Sequence, residues 1–428
     1  MPTSDPVSDS VPRSPAATAL TKDRVLEALS GVIDPELRHP ITELDMIHGL
    51  RVSPEGDVTL TVLLTTVHCP RQDVIEKEVR EAISPLEGVG TITITMGAMT
   101  PLQVQHLQQK LRGGRTTREI SFARPDSPTR VIAVASGKGG VGKSSVAANL
   151  AVALAATGQR VGLIDADIYG FSIPGMMGVD TPAQQLNGMI IPPVAHGVKV
   201  MSIGMFVPGN TPVVWRGPML HKALEQFFAD VYWGDLDFVF LDLPPGTGDV
   251  AISLAQMLPR ADILVVTTPQ TAAADVAERA GAVSKQTEQT VIGVVENMSY
   301  LELPDGTKNT IFGSGGGQLV ATNLSATLGY PVELLAQIPL EPALREGCDA
   351  GTPFVLDMVD SPARDTLRGL AARIQELPRR GKNTRAGWPA CEPGKPSGSK
   401  RGARISAGLG RAPRAWFGIS WLRGFFML

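Results

Sequence analysis

The sequence predicts an α/β fold: a doubly wound, mostly parallel sheet preceded by a small α+β domain. Three observations predict it. From Thr129 onward, short β-branched runs alternate with helical segments. Several of those runs are apolar at every position, as strands covered by helices on both faces are. Ahead of them, a shorter stretch shows helical stripes and strict alternation in turn, too little for the same architecture. With 428 residues the chain has room for two or three domains, and at 43% apolar residues it can bury a sizeable core.

Residues 1–18 are rich in Pro, Ser and Asp and are expected to be a disordered leader. They have neither a basic start nor an apolar stretch, so they do not read as a secretory signal. The small α+β module is expected over 19–97. Thr21 is a candidate N-cap, and Val25, Leu26, Leu29 and Val32 follow at helical spacing. Val58, Leu60 and Val62 alternate with Thr59 and Thr61, as on a half-buried strand. Val74, Ile75, Val79, Ala82 and Ile83 form a second helical stripe, and Ile92, Ile94 and Met96 alternate again. Residues 98–128, which include the polar run LQQKLRGGRTTREI, read as a linker. The large domain is expected over 129–377, with strands at 131–136, 160–167, 198–204, 237–243, 262–268 and 290–297.

Residues 378–428 differ in kind. From Arg379 they hold 11 Lys/Arg and one acid, +10 of a chain total of −3, so the preceding residues carry −13. An acidic folded part argues against nucleic acid as a partner. The closing WFGISWLRGFFML is 13 residues long, too short to span a bilayer. The tail reads either as an unstructured extension, even translation in a foreign frame, or as a basic, aromatic membrane-surface anchor. The first reading leaves no stable membrane association. Three cysteines, Cys69, Cys348 and Cys391, exclude a disulfide scaffold and point to a reducing cytoplasm.

The strand at 131–136 runs into Gly137-Lys138-Gly139-Gly140-Val141-Gly142-Lys143-Ser144-Ser145. This is G-x-x-x-x-G-K-[ST] between a strand and a helix. The glycines let successive N–H groups turn inward onto phosphate oxygens, and the helix start adds its positive end. Lys143 would reach the β- and γ-phosphates of ATP, and the Ser144 hydroxyl would ligate Mg²⁺. Asp165 and Asp167 lie at the carboxyl end of a strand, where open α/β sheets bind ligands, although a strand-end acid is also a common helix cap. Asp242 follows four apolar residues, the place of an aspartate that holds Mg²⁺ through water.

Lys138, directly after the first glycine, makes the loop resemble the ATPases that include MinD, ParA and the nitrogenase iron protein. That resemblance implies a homodimer in which Lys138 serves the nucleotide of the other subunit. It also implies that Asp167 activates the attacking water, that Asp165 supports Mg²⁺, and that Asn297 hydrogen-bonds adenine. A narrower likeness rests on DIYGFSIP after Asp165-Ala166, WRGPM at 215–219, LDLPPGTGD at 241–249, VVENMS at 294–299 and IFGSGGG at 311–317. With VIDPEL, ITELDMI and LTTVHCP in the front module, these resemble the Mrp/ApbC group, whose front module belongs to a family of iron–sulfur assembly factors. The resemblance implies a P-loop ATPase that carries an iron–sulfur cluster and passes it to apoprotein clients.

Two departures stand out. The group places C-x-x-C between VENMS and IFG; here Tyr300–Thr307 read YLELPDGT, without cysteine. The usual bridging [4Fe–4S] cluster cannot form there, since thiolates are the normal ligands. Phe171 stands where proline is usual. Of the remaining thiols Cys69 is the candidate cluster ligand, transient at one thiolate per subunit. Two rivals remain: a MinD/ParA-like positioning switch, and a nucleotide-gated scaffold without a cluster.

Overall fold

The computed structural model describes residues 20–65, 71–111, 120–124, 126–167, 170–186, 188–206, 217–246, 249–270, 284–285, 287, 289–358 and 360–378. The chain divides into two compact units, Met1–Arg379 and Arg380–Leu428. The second lies outside the described residues, as do the leader and all but the first residue of the expected tail.

Thr21 caps the first helix, its hydroxyl oxygen accepting the Arg24 N–H at 3.4 Å. That helix, α1 (Lys22–Leu29), buries Val25 and Leu29. Strands β1 (Ile47–Val52) and β2 (Val58–Leu64) pair antiparallel, and β3 (Ile92–Ala98) joins β2 in parallel after helix α2 (Gln72–Ile83). On β2, Val58, Leu60, Val62 and Leu64 face the core and Thr59 faces solvent, the pattern predicted from alternation. Part of the expected linker is helical. Helix α3 (Pro101–Leu111) buries Val104 and Leu107 against this small sheet.

The large sheet has eight strands in the order β15-β12-β11-β4-β10-β5-β9-β8. Chain order gives β4 (Arg130–Ser136), β5 (Val161–Asp165), β6 (Gln184–Leu186), β7 (Met189–Ile191), β8 (Val194–Ala195), β9 (Val198–Ser202), β10 (Phe238–Asp242), β11 (Asp262–Thr267), β12 (Thr290–Asn297), β13 (Leu301–Glu302), β14 (Lys308–Asn309) and β15 (Leu334–Ile338). All pairs in the large sheet are parallel except β8 with β9. The six predicted strands are all present and form its centre.

Two apolar layers sandwich this sheet. Val131, Ala133 and Ala135 of β4 point into one, and Ile132 and Val134 into the other. The first layer is covered by α6 (Gly217–Ala229), α7 (Asp249–Met257) and α8 (Gly316–Leu328), through Leu224, Phe228, Leu254 and Leu324. The second is covered by α4 (Lys143–Ala156) and α10 (Pro362–Glu376), through Val146, Leu150, Leu154, Leu367 and Ile374. Helix α4 is apolar on every side because it is enclosed between the sheet and α10. Short helices α5 (Ile173–Met176) and α9 (Pro342–Asp349) pack at its margin.

The small sheet and the large one share apolar contacts. The β6–β7 hairpin gives Leu186, Met189 and Ile191 to the small module's core, and Tyr232 joins them. Arg38 donates to the Gly197 carbonyl at 3.0 Å, and Gln184 donates to Glu36 at 2.9 Å. Lys199 is buried at this junction, its ammonium donating to the carbonyls of Tyr232 and Trp233 and lying 4.6 Å from the Tyr232 ring centroid. Among the described residues no helix is long and apolar enough to cross a membrane.

Candidate nucleotide site

Strands β4, β5, β10, β11 and β12 end side by side, and every described candidate of the nucleotide site lies on or just beyond those ends. In-register pairing sets Asp242 of β10 beside Asp165 of β5 and Val134 of β4. After β4 the chain turns through 137–142. Gly140 and Gly142 both have φ of +79°, a left-handed conformation that glycine adopts without a steric penalty. Gly142 has a second constraint: a Cβ there would lie 2.2 Å from the Asn297 amide nitrogen. Helix α4 begins at the next residue, so its unpaired N–H groups open toward the loop.

Lys143 and Ser144 converge on one carboxylate. The Lys143 ammonium donates to Oδ1 of Asp242, and the Ser144 hydroxyl donates to Oδ2 at 2.6 Å. Asp242 is fully buried, and burial pushes its carboxyl up while Lys143 pulls it down. The Leu243 N–H donates to the Val134 carbonyl, and Gly246 N–H to the Ser136 carbonyl at 2.9 Å. The segment after β10 is thereby laid across the start of the phosphate loop. Thr247 and Gly248, within the LDLPPGTGD run, lie outside the described residues.

Asp165 is fully buried, and its carboxylate accepts four hydrogen bonds: Asp167 N–H on Oδ1, and Ser172 N–H, Ile173 N–H and the Ser202 hydroxyl on Oδ2. It therefore organises the loop that presents Asp167. Burial and the neighbouring Asp242 push its carboxyl to about 7. Asp167 is half-buried, and its carboxylate accepts the Gly170 N–H at 3.1 Å. Phe171 is accommodated against Gly204, where any Cβ would approach its ring to 2.4 Å.

Asn297 ends β12 and is buried. Its amide nitrogen donates to the Val141 carbonyl at 2.9 Å, while its Oδ1 is buried with no partner. An unpaired buried acceptor costs stability unless something donates to it, and the nitrogen of the same amide lies against the phosphate loop. The exocyclic amine of adenine is such a donor, so the residues present fit ATP. They fit Mg²⁺ as well, which takes one or two protein oxygens together with phosphates and water. Ser144 and Asp242 supply such oxygens.

Four participants carried no sequence signal strong enough to single them out. Ser136 and Gln270 contact Lys138: the Ser136 hydroxyl donates to its carbonyl at 3.1 Å, and its ammonium donates to Gln270 Oε1 at 2.8 Å. Ser202 supports Asp165. Glu296, buried beside Asn297, accepts the Gly317 N–H at 2.6 Å and the Gln337 amide at 2.8 Å. The IFGSGGG run is explained by close approach, since a Cβ on Gly316 would lie 2.5 Å from the Pro269 carbonyl oxygen. Gln270, Ser202 and Glu296 act between separate elements, which spacing along one strand does not reveal.

The chain from Tyr300 to Asn309 forms the β13–β14 hairpin, with Lys308 4.1 Å from the Tyr300 ring centroid. It holds no sulfur at the place of the C-x-x-C. Cys69, its neighbour His68, and Cys391 lie outside the described residues. Cys348 is buried, and burial pushes its thiol up, away from the thiolate that ligates metal. Among the described residues no three His, Cys, Asp or Glu side chains are grouped to hold a metal ion.

Residues 127–375 match the family described as NUBPL iron-transfer P-loop NTPase. The chain belongs to that family. Residues 22–94 match a second family, described as an iron-sulfur cluster assembly protein. This iron-transfer P-loop NTPase is 54% identical over 360 residues to the iron-sulfur cluster carrier protein of Mycobacterium leprae, covering 83% of this chain and 94% of the relative. The corresponding protein of Mycobacterium tuberculosis strain H37Rv is 55% identical over 80% of this chain and 90% of its own length. That of Bacillus subtilis is 41% identical over 75% of this chain and 89% of its own length. Among solved structures, an Archaeoglobus fulgidus nucleotide-binding protein in complex with ADP is 35% identical; the match covers 56% of this chain and 93% of that one, at a TM-score of 0.47.

Proposed function

We propose that the chain is a homodimeric, slowly hydrolysing ATPase that binds iron–sulfur clusters and passes them to apoprotein clients in the cytoplasm. The observation that carries the nucleotide half is the convergence of Lys143 and Ser144 on Asp242 at the mouth of a glycine loop. The carrier half rests on the names of relatives more than 50% identical over four-fifths of the chain.

In this reading the loop amides of 137–144 and Lys143 grip the β- and γ-phosphates. Ser144 and Asp242 hold Mg²⁺, which when bound offsets phosphate charge. Asp167 orients the water that attacks the γ-phosphorus, and Asp165 holds the Asp167 loop in place through its four donors. Asn297 Oδ1 accepts from adenine. Lys138 stabilises charge that develops on the transferred phosphoryl group of the other subunit. Turnover is slow because binding and release of ATP close and open a dimer.

Cys69 is the proposed cluster thiolate. Anaerobic reconstitution of the full chain with iron and sulfide tests it: absorbance that wild type gains and Cys69→Ala lacks supports the carrier role. A second reading, a nucleotide-gated scaffold without a cluster, is favoured by the thiol-free β13–β14 hairpin. Equal, featureless spectra for both proteins would select it.

A further inference from the structure

We infer that Gln270 is the positioning residue of Lys138, holding its ammonium so that the charge is aimed but not cancelled. The inference rests on the proposed ATPase reading and adds to it a residue that acts through the lysine. Lys138 is anchored at both ends within its own subunit: Ser136 Oγ donates to its carbonyl at 3.1 Å, and its Nζ donates to Gln270 Oε1 at 2.8 Å.

Gln270 is itself well placed to do this. It stands three residues beyond β11, whose Val266 lies opposite Ser136 of β4, so the end of β11 runs beside the phosphate loop. Thr267 and Thr268 are buried. Pro269 is pressed against Gly316 so closely that no side chain would fit between them. The segment is thus fixed up to the residue before Gln270, and Gln270 is exposed on the open side of the site next to half-buried Lys138.

The chemistry favours an amide here. An unrestrained lysine on a loop samples many rotamers, and one acceptor selects among them. A carboxylate would select as well, but it would pair with the ammonium and compete with phosphate oxygens. A neutral amide oxygen orients the lysine and leaves its positive charge for the anion that develops in phosphoryl transfer.

The test uses the full chain with ATP and Mg²⁺, measuring kcat by phosphate release and nucleotide affinity by equilibrium dialysis. Gln270→Ala should lower kcat about tenfold, the order expected when a charged group is left unaimed. Gln270→Glu should lower it further, and both should leave affinity within about twofold of wild type. In a Lys138→Ala background neither substitution should change kcat again, because there is nothing left to position. A purely structural Gln270 would not show that dependence. If wild type hydrolyses ATP and both variants match its kcat, or if their effects persist without Lys138, the inference is overturned and the ATPase reading stands. If wild type neither binds nor hydrolyses ATP, both fall together.

Discussion

Asn297 shows how much one side chain decides. Its nitrogen ties the phosphate loop to the end of β12, and its buried oxygen has no partner, the acceptor proposed for the base. Asn297→Ala should weaken ATP binding about tenfold, the value of roughly one hydrogen bond, and weaken GTP binding much less. Guanine offers a carbonyl where adenine offers an amine, so an equal loss for both nucleotides would remove the base from this contact. Lys138→Ala should spare ATP affinity and depress hydrolysis. Unchanged hydrolysis would show that no charge at this position serves the transferred phosphoryl group.

At the scale of elements, the loop between β4 and α4 is specified twice, by backbone conformation and by space. Gly142→Ala should cost roughly 1–2 kcal/mol from the left-handed backbone alone. It also drives a methyl into the Asn297 amide, so nucleotide binding should fall with stability. Urea unfolding and dialysis on one preparation check both. Retention of both would mean the loop tolerates a different path.

The same loop explains what the sequence made legible. Glycines at 137, 139, 140 and 142, then Lys-Ser, state local geometry within one short segment. The six central strands were legible because strands buried on both faces are apolar throughout. Helix α3 was hidden in the expected linker because only Val104 and Leu107 are buried among polar neighbours. The short β6–β7 hairpin was hidden because its burial depends on the small module, far away in sequence. Asp165 was legible as an acid at a strand end. Its role as the hub of four donors was not, because those donors come from a loop and another strand.

Across the whole of the described chain, the two sheets meet over buried charge. Burial pushes the Lys199 ammonium down to about 7 from its ordinary 10.5. The unfolded chain therefore binds more protons between pH 7 and 10.5, and this group makes stability rise with pH across that window. Glu36, pushed by burial to about 6 from 4.5, has the opposite sign: its contribution falls as pH rises from 4.5 to 6. Lys199→Met should remove part of the stability gained between pH 7 and 9 in urea titrations. A gain equal to that of wild type would show that Lys199 keeps its ordinary titration at the junction.

In the proposed function a magnesium-bound triphosphate is gripped where Lys143 and Ser144 meet Asp242. Equilibrium dialysis of ATP with Mg²⁺ against the full chain tests it most directly. The expected result is saturation at one nucleotide per subunit and no detectable binding by Lys143→Ala. Wild type that fails to saturate, or Lys143→Ala that binds as tightly as wild type, would contradict it.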